Sequence, residues 1–150
     1  MMPLNRILLV DDNPHDTEMA LDALQQHHLA NEVLSLRDGV EALDYLFRRG
    51  EFSGRTDANP SVILLDLKMP RVDGLEVLRQ IKADASLKSI PVVMMTSSRE
   101  EQDLVNSYQL GVNAYVVKPL SFEQFIEAVK IVGAFWAVLN ELPSKPQPPN

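Results

Sequence analysis

Four polar groups in this sequence each come directly after a short block of apolar residues. They are Asp11-Asp12 after Ile7 to Val10, Asp66 after Val62 to Leu65, Thr96 after Val92 to Met95, and Lys118-Pro119 after Ala114 to Val117. Each residue alone is uninformative, since an Asp after a strand often caps a helix, a Thr often closes a turn and a Lys is usually solvated. Together they combine carboxylates, a hydroxyl and an ammonium, which are groups that handle cations and phosphoryl groups.

Five short apolar blocks in the sequence predict buried strands. Three of the blocks named above, Ile7 to Val10, Val62 to Leu65 and Val92 to Met95, are continuous and rich in branched residues. Ala114 to Val117 is a weaker candidate, as is a further block, Val33 to Leu36. Helical spacing occupies the stretches between and after them, at Asp16 to Leu29, Gly39 to Arg49, Gly74 to Ala83, Glu100 to Leu110, and Phe122 to about Leu142. Regular alternation of strand and helix predicts an α/β fold, with a doubly wound parallel sheet and helices on both of its faces.

In a sheet of this kind, the carboxyl ends of the strands meet at one edge, where a site forms beside the switch in strand order. Three carboxylates at that edge repel one another unless a cation lies among them. Mg2+ prefers hard oxygen ligands and binds through one or two carboxylates together with phosphate oxygens. The sequence contains no GxxxxGK[ST], GxGxxG or HExxH pattern, so the predicted site is suited to a single phosphoryl group rather than to a nucleotide.

Four segments of the chain resemble the signature segments of response-regulator receiver domains: LLVDDN, LLDLKMPRVDG, MMTSS and AYVVKPL. The resemblance extends from about Arg6 to Trp136 and includes the spacing from Asp66 to Thr96, Tyr115 and Lys118. It implies a flavodoxin-like receiver fold, in which five parallel strands have the order 2-1-3-4-5 and five helices flank them.

The resemblance also implies the ligands of a Mg2+ ion. Asp66 would be the phosphoacceptor and a metal ligand, and Asp12 would be a direct ligand. Asp11 would act through water, and the backbone carbonyl of Lys68 would complete the set contributed by the protein. An aspartate beside Mg2+ is expected to be ionised at neutral pH, so it needs no general base in order to attack phosphorus.

Three further residues are implied to contact or to sense the phosphoryl group. Lys118 would bind one of its oxygens and Thr96 another, and the Lys118-Pro119 peptide bond would be cis. Tyr115 would be the aromatic switch residue, whose ring follows the threonine when its hydroxyl is drawn to the phosphate.

Lys68 places a long cation where the family often has a small or polar side chain. We expect its ammonium to reach the phosphoryl group and to slow hydrolysis by excluding water. The alternative is that the side chain of Lys68 points into solvent and has no effect on hydrolysis.

Composition excludes several classes of function. Among 150 residues there are 21 acidic and 14 basic ones, and the basic residues are scattered, so direct nucleic-acid binding is not expected. The absence of cysteine removes disulfides and thiolate chemistry. The apolar runs are too short for a membrane helix and the N-terminus does not look like a secretory signal, so the predicted location is the cytoplasm.

The predicted function is a stand-alone two-component response regulator that a sensor histidine kinase phosphorylates on Asp66. The Asn-Pro-His-Asp start, the long loop before the third strand and the extended final helix resemble receivers that partner phytochrome-type kinases. The alternatives are a Mg2+-dependent phosphatase with an aspartyl nucleophile, for which Asp66-Leu67-Lys68 lacks the usual second acid, and a receiver-like binding module that takes no phosphate.

The chain is expected to divide into one domain and a short tail. Residues 1–142 are predicted to form the receiver domain, with a proline-rich disordered tail over residues 143–150. The loop from Arg49 to Pro60 is interpreted as a tolerated polar insertion, with a partner-specific contact as the alternative. Helix four, strand five and helix five are predicted to form a homodimer or a kinase-docking surface, with Phe135 and Trp136 as anchors.

Overall fold

The computed structural model describes residues 6–25, 32–112 and 114–134 of the chain. The strands are β1 (Arg6–Val10), β2 (Glu32–Leu36), β3 (Val62–Asp66), β4 (Val92–Thr96) and β5 (Tyr115–Val117). The helices are α1 (Pro14–Gln25), α2 (Gly39–Phe47), α3 (Gly74–Ala83), α4 (Arg99–Ser107) and α5 (Phe122–Ile131). Strand and helix alternate through the whole of this order, as the sequence predicts.

The five strands form one parallel sheet in the order β2-β1-β3-β4-β5. Val10 pairs with Leu36 and with Leu65, and Asp66 pairs with Met95, so the strands end close together at one edge. The predicted fold class and strand order are confirmed. The order reverses between β1 and β3, and the crevice at such a switch point is where doubly wound sheets bind their ligands.

Two apolar layers cover the two faces of the sheet. Alternate residues of β1 divide between them, with Leu8 and Val10 in one layer and Ile7 and Leu9 in the other. The first layer is completed by α2, α3 and α4, and the second by α1 and α5. All five residues of β3 and of β4 are buried, which explains why their sequences are continuous apolar runs rather than alternating ones.

Four helices begin at a residue whose side chain caps the helix. Each of these side chains accepts a hydrogen bond from the backbone N–H three residues later, and the capping residues are Asp38, Asp73, Ser98 and Ser121. Such a cap satisfies one of the N–H groups that the first turn leaves without an intrahelical partner. The caps therefore fix where each helix starts relative to the strand before it.

The prediction of one continuous last helix as far as Leu142 is wrong. Helix α5 ends at Ile131, and Gly133 has a φ of +77°. The N–H of Gly133 donates to the carbonyl of Lys130, and the N–H of Ala134 donates to that of Val129. These two bonds form a Schellman motif, in which a left-handed glycine ends the helix.

Two other helices end earlier than predicted. Helix α2 ends at Phe47, where Arg48 takes a left-handed conformation, and α4 ends at Ser107. Phe135 and Trp136 lie outside the described residues, as does the predicted tail over residues 143–150. Within the described part of the chain, no helix is both long and apolar enough to cross a membrane.

The loop from Arg49 to Pro60 is held to the protein by arginines. The guanidinium of Arg55 lies 3.9 Å from the centre of the Tyr45 ring, and its Nη1 is 2.9 Å from Asp57 Oδ1. Arg6, in β1, also pairs with Asp57, and Arg48 donates to the carbonyl of Asp57 at 2.7 Å. These contacts give the loop a structural role within the protein, which its polar sequence does not predict.

Gly74 provides a test of how tightly α3 packs against β3. A Cβ added at Gly74 would lie 2.1 Å from the backbone oxygen of Asp66, which is closer than any real contact. We expect Gly74→Ala to destabilise the protein by about 1–3 kcal/mol, because the backbone has to move apart. At Gly54, an added Cβ would meet no atom within 4 Å. Gly54→Ala is therefore the control, and equal urea midpoints for the two variants would contradict the expectation.

Candidate functional site

Three carboxylates lie together at the carboxyl ends of β1 and β3. Asp11 and Asp66 are buried, with 1% and 5% of their surface exposed, whereas Asp12 is exposed. One oxygen atom from each of the three lies within 4.8 Å of the others. The strand ends therefore bring together the acids that the sequence predicts to meet.

The ammonium of Lys118 enters this cluster from the end of β5. Its Nζ lies 3.0 Å from Asp66 Oδ1, 3.2 Å from Asp11 Oδ2 and 3.1 Å from Asp16 Oδ2. The peptide bond between Lys118 and Pro119 is cis, as predicted. The side chain of Lys118 is largely buried, so its charge is balanced by these carboxylates rather than by water.

The pKa values of Asp66 and Lys118 are both raised, but for different reasons. Burial, followed by the neighbouring charge of Asp11, raises the pKa of Asp66 to about 7, although Lys118 acts to lower it. Burial would lower the pKa of Lys118, but its contacts with Asp66, Asp16 and Asp11 outweigh this and raise it. Lys118 therefore stays protonated, while Asp66 needs a further cation beside it in order to be fully ionised at neutral pH.

Thr96 is the last residue of β4, which lies beside β3, and Tyr115 is the first residue of β5, the next strand of the sheet. The hydroxyl of Thr96 is fully buried and has no hydrogen-bond partner among the described residues. Tyr115 is half-buried, and its hydroxyl donates to the side-chain oxygen of Asn106 in α4. Burial, followed by the charge of Asp103, raises the pKa of Tyr115, so the phenol remains a donor at neutral pH.

The donor set fits a divalent cation. Three carboxylates lie within reach of one point, and Asp11 Oδ2 is buried with no hydrogen bond from any described residue, although Lys118 lies 3.2 Å from it. Hard oxygen ligands of this kind suit Mg2+ or Mn2+. The acidic cluster thus supports a divalent metal site.

Two residues at this edge were missed by the sequence analysis. Asp16 lies in the first turn of α1 and is the third carboxylate partner of Lys118. Glu101, in the first turn of α4, accepts from the N–H of Ser97 at 2.7 Å and lies 3.7 Å from Lys68 Nζ. The only sequence signal for either is its place in a helix first turn, where acidic residues are common for reasons unrelated to a site.

The raised pKa of Asp66 predicts a specific dependence of stability on pH. The pKa of Asp66 in the folded protein, about 7, exceeds its ordinary value of 3.8. The folded state therefore binds more protons than the unfolded state between pH 3.8 and pH 7, and the free energy of unfolding of wild type falls as the pH rises through this range. Without divalent cations, Asp66→Asn should therefore be more stable than wild type at pH 8, by about 1.4 kcal/mol per unit of pKa shift at most. The difference should shrink toward pH 4, as measured by urea unfolding in a chelator.

A matched control is Asp22→Asn, which removes one charge from an exposed position of α1 outside the cluster. Its stability relative to wild type should change much less across the same pH range. If the stabilities of wild type and Asp66→Asn change in parallel with pH, Asp66 has an ordinary pKa in the folded protein and the expectation is wrong.

Known proteins share both the sequence and the fold of this chain. The family model of the response regulator receiver domain matches residues 7–130. The response regulator Rcp1 of Synechocystis sp. is 37% identical over 142 residues, which cover 95% of this chain and 95% of that protein. A Mn2+-bound structure of Rcp1 aligns with a TM-score of 0.70 at 36% identity and covers 97% of this chain and 99% of that one.

Two further solved structures are similar. The bacteriophytochrome response regulator AtBRR is 59% identical, with a TM-score of 0.88, over 93% of this chain and 100% of that one. The phosphorylated cyanobacterial phytochrome response regulator RcpA is 41% identical, with a TM-score of 0.70, over 89% of this chain and 94% of that one. With its fold, its acidic edge and this extent of similarity, the chain belongs to the family of response-regulator receiver domains.

Proposed function

We propose that this receiver is the response regulator of a phytochrome-type sensor histidine kinase, and that it accepts a phosphoryl group on Asp66 in the presence of Mg2+. The observation that carries the proposal is the contact of 3.0 Å between Lys118 Nζ and Asp66 Oδ1 beside the other acids. The likeness to bacteriophytochrome and cyanobacterial phytochrome response regulators supports the choice of kinase.

Asp66 acts as the nucleophile in this proposal. One of its oxygens forms a bond to phosphorus in line with the departing group, and the phosphorus–nitrogen bond of a phosphohistidine donor breaks as the imidazole takes up a proton. Lys118 already lies beside Asp66 and binds an oxygen of the phosphoryl group as it arrives. No general base is required once Asp66 is ionised.

The metal ligands proposed for Mg2+ are Asp11, Asp12, Asp66 and the backbone carbonyl of Lys68, with Asp11 acting through water. When bound, the cation neutralises charge on Asp66 and on the phosphoryl oxygens. The remaining work belongs to the protein, which holds the acids at the sheet edge and keeps Lys118 directed at Asp66.

The change that carries the signal is proposed to start at Thr96. Its buried hydroxyl has no hydrogen-bond partner among the described residues, so a phosphoryl oxygen would supply one. Movement of Thr96 opens space for the ring of Tyr115, which would then exchange its present bond to Asn106 for a more buried position. A signal at Asp66 would in this way reach the surface of α4.

The proposed partner surface consists of α4, β5 and α5, which would bind the kinase, a downstream protein or a second copy of the chain. Leu104, Tyr108 and Val117 are exposed there, at 45%, 55% and 39%. Large exposed apolar side chains are typical of protein-binding surfaces where they cluster. Phe135 and Trp136, the predicted anchors, lie outside the described residues.

The proposed location of the protein in the cell is the cytoplasm.

Phosphorylation with a small donor tests the chemistry. With Mg2+ and acetyl phosphate, intact-mass measurement should show one phosphoryl group, stable in acid and labile in base. Asp66→Asn should carry none, because it lacks the nucleophile. Asp12→Ala should reduce labelling by about tenfold or more through loss of a metal ligand. Equal labelling of Asp66→Asn and wild type would show that another residue accepts the phosphoryl group.

Transfer from a kinase tests the biological assignment. A phosphorylated phytochrome-type histidine kinase should transfer its phosphoryl group to this chain faster than an unrelated histidine kinase does, and Asp66→Asn should receive none. If acetyl phosphate labels the chain normally but both kinases label it at the same slow rate, the assignment of Asp66 stands and the assignment to a phytochrome-type kinase is wrong.

A further inference from the structure

We propose that Glu101 is a positioning residue that holds two donors of the phosphoryl site in the resting protein and competes with the phosphoryl group for them. The inference rests on the proposed phosphorylation of Asp66. It concerns the contacts that Glu101 makes with Lys68, two residues after Asp66, and with Ser97, one residue after Thr96.

Glu101 joins the two loops that follow the central strands. Its Oε1 accepts from the N–H of Ser97 at 2.7 Å, and its Oε2 lies 3.7 Å from the ammonium of Lys68. Only 14% of the Glu101 side chain is exposed, whereas 75% of the Lys68 side chain is exposed. The carboxylate of this ion pair is therefore largely buried, while its lysine partner stays at the surface.

Part of this arrangement is ordinary helix capping. Ser98 accepts from the N–H of Glu101, and the side chain of Glu101 returns a bond to the preceding segment. At α2, the side chain of Glu41 accepts in the same way from the N–H of Arg37, at 2.8 Å. What distinguishes Glu101 is the additional ion pair with Lys68, which extends the cap to the loop of the phosphoacceptor.

The two donors that Glu101 occupies would also suit a phosphoryl group on Asp66. Asp66 pairs with Met95 in the sheet, so the N–H of Ser97 lies just beyond the end of the neighbouring strand. A phosphoryl group carries about two negative charges and three acceptor oxygens, so it attracts an ammonium and a backbone N–H such as those that Glu101 now contacts. It also repels a carboxylate nearby, so bound phosphate and the present position of Glu101 oppose each other.

The competition has a mechanical consequence because Glu101 belongs to the first turn of α4. When the carboxylate releases Ser97 and Lys68, the first turn of α4 loses its bond to the end of β4 and its ion pair with the loop after β3. Occupation of Asp66 would therefore loosen the start of the helix that carries the exposed Leu104 and that is followed by the exposed Tyr108. In the resting state, the same contacts oppose phosphorylation.

Beryllofluoride, a mimic of the phosphoryl group, provides the test in the presence of Mg2+. Glu101→Gln keeps an oxygen for the N–H of Ser97 but loses the charge that holds Lys68 and repels the mimic. We expect it to bind beryllofluoride about twofold to fivefold more tightly than wild type, the range for a partly exposed ion pair. Glu100→Gln, an equal loss of charge at the exposed neighbouring position, should bind as wild type does.

A double-mutant cycle with Lys68→Met identifies the exchanged group. If Lys68 moves from Glu101 to the mimic, the gain from Glu101→Gln should be smaller in the Lys68→Met background. The amide proton signal of Ser97 should also shift on beryllofluoride binding in wild type, which a cap with a purely structural role would not require. Additive effects together with an unmoved Ser97 signal would overturn the proposal.

Failure of the two proposals can be told apart. If wild type binds no beryllofluoride, or if Asp66→Asn binds it equally well, the proposed function fails. If wild type binds it, Asp66→Asn does not, and Glu101→Gln binds no more tightly than wild type, then the role of Glu101 fails while the proposed function stands. Thermal unfolding of each variant without ligand establishes that the compared proteins are folded.

Discussion

The ammonium of Lys118 lies among three carboxylates, and the arrangement of the sheet edge depends on this contact. Asp66 comes from β3, Asp11 follows β1 and Asp16 belongs to α1, so one positive charge links three separate parts of the chain. Without it, two buried carboxylates would face each other with little solvent to screen them. The charge that balances the resting site is also the one that a phosphoryl group would engage.

The positive charge of Lys118 does not fully offset the negative charges around it, and a phosphorylation switch can use the negative charge that remains. The raised pKa of Asp66 shows that one ammonium does not offset its burial next to Asp11. The folded protein therefore retains an affinity for additional positive charge at this edge, which a divalent cation can satisfy. The concentration of negative charge at this edge lowers the stability of the folded protein, as is common where function requires like charges to lie close together.

Most of this arrangement is predictable from the sequence because the relevant information is local and periodic. Buried parallel strands need continuous apolar runs, and the residue that ends such a run must lie at the carboxyl edge, so the apolar runs alone place Asp11, Asp66 and Thr96 there. Asp16 and Glu101 could not be placed in this way, because the lysines with which they pair are distant in sequence and their helical positions have an ordinary explanation. Gly133 was overlooked because apolar spacing continues beyond it, and spacing does not detect a left-handed residue.

The loop from Arg49 to Pro60 lies at the other end of the sheet from the acids. Arg6 begins β1 and pairs with Asp57, while Asp11 follows the last residue of the same strand. Five residues of extended chain separate these points by roughly 17 Å. Among the described residues, the loop and the acids thus share no side-chain contact along this strand, so natural variation can remodel one end of the protein while the residues at the other end stay constant.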